Sequence, residues 1–123
     1  MTTIELKKKI QRFSSLKKRS FIKKNNLQAP YELHKQILNF QNFKNSQIVA
    51  SFISFKTEIS LNILNRFLET SKKKICLPAI KNNLHYLVFR EFDKKTILKK
   101  GKFGILEPDD KSKELLPDFI LTP

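Results

Sequence analysis

The sequence is short of several things, and each shortage narrows its chemistry. Cys76 is the single cysteine in 123 residues, so no internal disulfide can form and a reducing, cytoplasmic setting is expected. Two glycines leave no room for a glycine-rich phosphate loop, and neither a Walker pattern nor GxGxxG is present. One Cys and two separated His, His34 and His85, cannot assemble a zinc site. Each His reads as an ordinary helix or strand residue. No apolar run reaches the ~20 residues of a membrane span, and the basic start from Met1 to Ile10 lacks the apolar core of a signal peptide. No membrane partner is expected. Acid is also scarce, with 11 Asp and Glu against 25 Lys and Arg, a net charge of +14.

The charge is uneven: residues 1–45 carry +9 and residues 46–123 carry +5. Such a chain attracts polyanions, whether nucleic acid, acidic lipid or a phosphorylated small molecule. Of the 25 basic residues 21 are Lys, a bias that AT-rich coding also produces, so charge alone does not choose among these anions. Hydrophobic residues at 40%, with 11 Phe, suffice for a folded core.

Thr2 and Glu5 have capping-box spacing and predict a helix start. Ile4, Leu6, Ile10, Phe13, Leu16, Phe21 and Ile22 give it an imperfect apolar stripe, broken at Asn25-Asn26. The run Lys17 to Lys24 suits phosphate contact, although a solvated helix face is the plainer reading. Pro30 fits the first turn of a second helix, with Tyr31, Leu33, Ile37, Leu38 and Phe40 on its apolar side. Gln47 to Ile53 reads as a buried strand and Ile59 to Thr70 as a helix capped by Ser60. Ile75, Cys76 and Leu77 read as a strand closed by Pro78. That order is a βαβ unit, hence a parallel sheet. Leu84 to Phe92 is a further strand, Asp93 to Thr96 a turn, Gly101 to Pro108 an irregular connection, and Phe119 to Leu121 a last buried strand. One domain is expected, with residues 1–45 a basic helical segment and 46–123 the α/β portion.

In open α/β sheets ligands gather at the C-terminal ends of strands. Glu58 follows the first strand in a polar loop. It reads equally as a site acid or as a carboxylate favoured at the start of a helix. Glu107-Pro108 is a plain turn or a site loop by the same logic. Cys76 reads as a small core hydrophobe.

Several segments, in order, resemble one family. Ile48-Val49-Ala50-Ser51-Phe52-Ile53-Ser54-Phe55 with Glu58-Ile59 resembles its first strand and loop. Lys74-Ile75-Cys76-Leu77-Pro78 resembles a K-I-x-x-P element. Phe103-Gly104-Ile105-Leu106-Glu107-Pro108 is similar to an fGixEP motif, and Asp118-Phe119-Ile120-Leu121-Thr122-Pro123 to a DLIxxP strand. The family is 5-formyltetrahydrofolate cyclo-ligase. The resemblance implies a three-layer α/β/α open, mainly parallel sheet, C-terminally truncated here, because the family's G-x-G-x-G-Y-Y-D segment is expected after Pro123. It implies ATP-dependent cyclisation of 5-formyltetrahydrofolate to 5,10-methenyltetrahydrofolate, with Mg2+, through phosphorylation of the formyl oxygen. Phosphoryl transfer by these residues alone is expected to be impaired. By the same resemblance Glu58 and Ile53 bind substrate, Lys17 (with Arg12 nearby) contacts ATP, and Glu107 and Pro108 shape the pocket wall. Ala79 stands where many members carry a basic residue. The other readings are a basic nucleic-acid-binding protein, which lacks any recognised motif, and a non-catalytic remnant of the family.

Overall fold

The computed structural model describes residues 2–81 and 86–123. The N-terminal third is helical: α1 (Thr3–Asn25), α2 (Ala29–Asn39) and the short α3 (Gln41–Asn45). The expected capping box is formed, with Thr2 Oγ1 accepting from Glu5 N at 3.1 Å and Glu5 Oε2 accepting from Thr2 N at 2.9 Å. Asn26 ends α1, and Pro30 lies in the first turn of α2. The apolar stripe of α1 is the surprise. No α1 residue is buried, and Ile4, Ile10, Phe13 and Phe21 are each at least 60% exposed.

Next come β1 (Ile48–Ala50), α4 (Asn62–Thr70) and β2 (Lys74–Ile80), the expected βαβ unit. β3 (Leu87–Phe92) turns back, β4 (Leu98–Lys100) and β5 (Leu106–Pro108) form a hairpin, and β6 (Phe119–Ile120) closes the order. The main sheet runs β3-β2-β1-β6. β1 is parallel to both β2 and β6, and β3 is antiparallel to β2. This is the open, mainly parallel α/β sheet that the sequence implies.

Register divides the sheet into two faces. Val49, Ile75 and Phe119 are paired across β1, β2 and β6. All three join the core cluster with Ile37 of α2, Phe43 of α3, and Leu64 and Leu68 of α4. The next register position, Ala50 with Cys76 and Ile120, points the other way because side chains alternate along a strand. On that side the β4–β5 hairpin packs against β2 and β3. Cys76 is fully buried there, and burial pushes its thiol up to about 11, so it is a core residue with almost no thiolate at neutral pH.

Several boundaries differ from expectation, for nameable reasons. β1 stops at Ala50, since the chain leaves the ladder after Ser51 N donates to Cys76 O at 2.9 Å. That same bond shows that Cys76 and, two residues on, Pro78 turn their backbone groups toward β1. Pro78 thus falls beyond the last β1 pair, where its missing N–H costs no ladder bond, and β2 continues to Ile80 instead of closing. α4 begins at Asn62 with no side-chain cap. Ser60 is not its N-cap, and Ser54 Oγ takes the Leu61 N–H at 3.1 Å. Ile63 and Phe67 lie outward on α4, whereas Leu64 and Leu68 are inward. Gly101–Pro108 is no irregular link: Gly104 adopts φ 76°, a turn that glycine allows, and the hairpin closes through Gly101 N donating to Ile105 O at 2.8 Å. Leu84 and His85, read as part of a strand, lie outside the described residues.

Asp118 locks β6 to β1. Its carboxylate accepts Gln47 N at 2.9 Å and Ile48 N at 3.0 Å. The Gln47 amide first, then that of Ile48, holds its carboxyl below the ordinary 3.8. A carboxyl depressed on folding contributes stability above its unfolded pKa and loses it as pH falls through the folded value. Acidification below 3.8 should therefore lower the melting midpoint of the parent more than that of Asp118→Asn, and parallel slopes in thermal melts would refute this.

Candidate functional site

After β1 the chain enters a polar loop held mostly by its own side chains. Ser54 Oγ bonds to Ile59 O and Leu61 N. Lys56 sits at φ 54°, the left-handed region, and Glu58 N donates to Phe55 O at 3.1 Å, closing a tight turn. Glu58 answers with its carboxylate, where Oε1 accepts Phe55 N at 2.7 Å. A carboxylate offers about four lone-pair positions, so most of its acceptor capacity is left over. Lys23, near the end of α1, grips this loop from outside. Its ammonium donates to Lys56 O at 3.0 Å and Glu58 O at 2.9 Å.

Glu58 borders two apolar cavities. One, of about 440 Å³, lies between the end of α1 and the loop; Arg19, Ile22, Lys23, Pro30 and Pro123 help line it. The other, of about 320 Å³, opens at the C-terminal ends of the parallel strands, the position where open α/β sheets hold ligands. Its wall includes Ile53 after β1, Pro78 and Ile80 of β2, Phe89 of β3, Ile120 of β6, and Phe103 and Glu107 from the hairpin. Mostly apolar walls with a few polar groups suit a flat, amphipathic small molecule.

The expected site residues therefore divide. Glu58, Ile53 and Glu107 share the cavity at the strand ends. Pro108 is fully buried and does not line it. Ala79, which stands where many members of the resembled family carry a basic residue, is buried in β2 and supplies packing. Lys17 lies elsewhere: its ammonium sits 4.8 Å over the Phe13 ring, and with Lys18, Phe21 and Ile22 it borders a separate hollow. Arg12 is exposed on α1. Neither lines a cavity that Glu58 lines. Arg19 and Lys23, near the end of α1, do, and sequence reasoning did not single them out within the run Lys17 to Lys24. No local signal could have done so, because what distinguishes them is which turn of α1 meets a loop more than 30 residues away. Among the described residues no group of three or more His, Cys, Asp or Glu could hold a metal ion, and no helix is long and apolar enough to cross a membrane.

Comparison with known proteins agrees across sequence and structure. A family model described as the 5-formyltetrahydrofolate cyclo-ligase family matches residues 4–123. A curated 5-formyltetrahydrofolate cyclo-ligase from Haemophilus influenzae is 31% identical over 101 residues, covering 78% of this chain and 54% of the relative. The NMR structure of Aquifex aeolicus 5,10-methenyltetrahydrofolate synthetase superposes with a TM-score of 0.71 at 26% identity, covering 98% of this chain and 59% of that one. The chain spans about half the length of the curated relative it matches.

Proposed function

The chain belongs to the 5-formyltetrahydrofolate cyclo-ligase family, and on that premise we propose that it binds 5-formyltetrahydrofolate at the strand ends and takes part in its ATP-dependent closure to 5,10-methenyltetrahydrofolate. The observation that carries this reading is Glu58. Its loop holds a carboxylate, largely unspent as an acceptor, at the boundary of two apolar cavities. The pterin of a folate has a flat apolar face and an edge of N–H donors. The face suits Ile53, Pro78 and Phe89, and the edge suits an anionic acceptor such as Glu58.

The cavity of about 440 Å³ supports the nucleotide half of the proposal. It has apolar walls for a base, and Arg19 and Lys23 line it where phosphates need cations. We assign phosphate contact to these two before Lys17 and Arg12, which lie off that cavity. A bound nucleotide supplies the phosphoryl group that turns the formyl oxygen into a leaving group. Lys23 meanwhile holds the loop through two carbonyls, so the group that faces the nucleotide also positions Glu58. Among the described residues no cluster of three or more His, Cys, Asp or Glu would by itself hold Mg2+, and no step is assigned to one.

Isothermal titration of the chain with 5-formyltetrahydrofolate tests the reading. Glu58→Gln keeps the acceptor for Phe55 N but removes the charge, and should weaken binding roughly ten- to hundred-fold, the worth of a hydrogen bond to a charged group. A parent chain that binds no 5-formyltetrahydrofolate would overturn the proposal.

A further inference from the structure

The hairpin brings a second carboxylate to the strand-end cavity. Glu107 lies in the middle of β5, paired with Lys99 of β4, and is only 8% exposed. Its Oε2 accepts the Ile80 N–H at 3.3 Å, its one side-chain hydrogen bond among the described residues. His34 Nδ1 is the single side-chain polar atom among those residues that is sealed from solvent and unpartnered. Among the described residues Glu107 Oε1 has no hydrogen-bond partner and is not sealed from solvent, and Glu107 lines the cavity of about 320 Å³ that Glu58 also lines.

A hairpin strut needs no charge. A neutral glutamine would accept the Ile80 amide equally well, so that bond alone gives no reason for a carboxylate here. The space for it is nonetheless built in. Gly101 faces it across the hairpin, and a Cβ there would lie 2.6 Å from Glu107 Oε2 and 2.8 Å from its Cδ. Gly101 does not have the positive φ that would itself require glycine. The third neighbour is the Ile105 carbonyl at 3.2 Å, so glycine here leaves room both for the hairpin backbone and for the carboxylate in its present rotamer.

We propose that Glu107 is a second substrate-binding carboxylate, whose Oε1 accepts an N–H from the bound heterocycle at the hairpin wall as Glu58 does at the loop. The ligand class this selects is a flat heteroaromatic with N–H donors on more than one edge. The apolar residues between the two acids, such as Ile53, Pro78, Phe89, Phe103 and Ile120, cover its faces. The assignment rests on the folate reading above and deepens it.

Calorimetric titration with 5-formyltetrahydrofolate, with thermal melts alongside, should be run on the full chain and on Glu107→Gln. The Gln variant keeps the acceptor for Ile80 N, so its melting midpoint should match the parent's, while its Kd should rise roughly ten-fold or more. A Gln variant that binds as tightly as the parent overturns the assignment. So does one whose affinity falls only together with its melting midpoint, since the carboxylate would then serve the hairpin alone. If the parent itself does not bind, the folate reading fails and takes this assignment with it. That outcome is distinct from a parent that binds and a Gln variant that binds equally well.

Discussion

Leu64→Ala should lower unfolding free energy by about 2–5 kcal/mol, the range for deleting a buried leucine's branched end where the surroundings relax only in part. Leu64 is 1% exposed on the inward face of α4, within one cluster with Ile37, Phe43, Val49, Phe52, Leu61, Leu68 and Ile75. Those partners come from two further helices, two strands and the loop after β1. No single element can move to refill the space, which places the effect toward the upper end. Urea unfolding checks it: the midpoint should fall with little change in slope. A loss well under ~1 kcal/mol would mean that the cluster is not the core, because surface substitutions stay within about half a kcal/mol.

Arg90→Met should cost about 1.5–3 kcal/mol, the range for hydrogen bonds to a charged group. Arg90 is 8% exposed in β3. Its guanidinium donates to Ser112 O at 2.9 Å and Asp110 O at 3.4 Å, and lies 3.6 Å from Glu114 Oε1. It thereby straps the segment after the hairpin onto the sheet edge, where Leu115 N also donates to Phe89 O at 2.8 Å. Methionine keeps most of the apolar stem and loses every one of these bonds. Beyond the global loss, amide hydrogen exchange should rise first at Glu91 and Leu115, whose N–H groups bridge the strap to β3. Exchange that rises evenly across the molecule would show that Arg90 supports the fold as a whole and not this strap.

The proposed site rests on both of these packed regions. The β4–β5 hairpin that carries Phe103 and Glu107 lies against β2 and β3, and its far end continues into the segment that Arg90 holds. Leu64 supports the sheet whose strand ends form the other wall.

How much of this was legible in the residues depends on the range of the interaction responsible. α1, with its cap at Thr2 and stop at Asn26, was readable, because capping involves residues three apart. The βαβ unit was readable too, because continuous apolar runs mark buried parallel strands and 3.6-residue spacing marks the helix between them. Glu58 was readable as a loop acid after the first strand, whereas Ile53 was named only through the family resemblance. The hairpin at Gly101–Pro108 was not legible, since its few apolar residues show no strand period and its closure rests on one left-handed glycine, Gly104. Nor was the exposure of α1, because an apolar stripe records what a helix could bury and not whether anything covers it.

The sequence by itself determined the first two helices, the parallel sense of the first two strands and the loop that bears Glu58. Each of these is dictated by contacts within a few residues or by the handedness of a short crossover. Only the tertiary structure decided which basic residues of α1 meet that loop, that Pro78 falls where its missing N–H does no harm, and that Glu107 shares a cavity with Glu58. Those outcomes depend on how elements tens of residues apart are brought together, and no spacing along the chain encodes them.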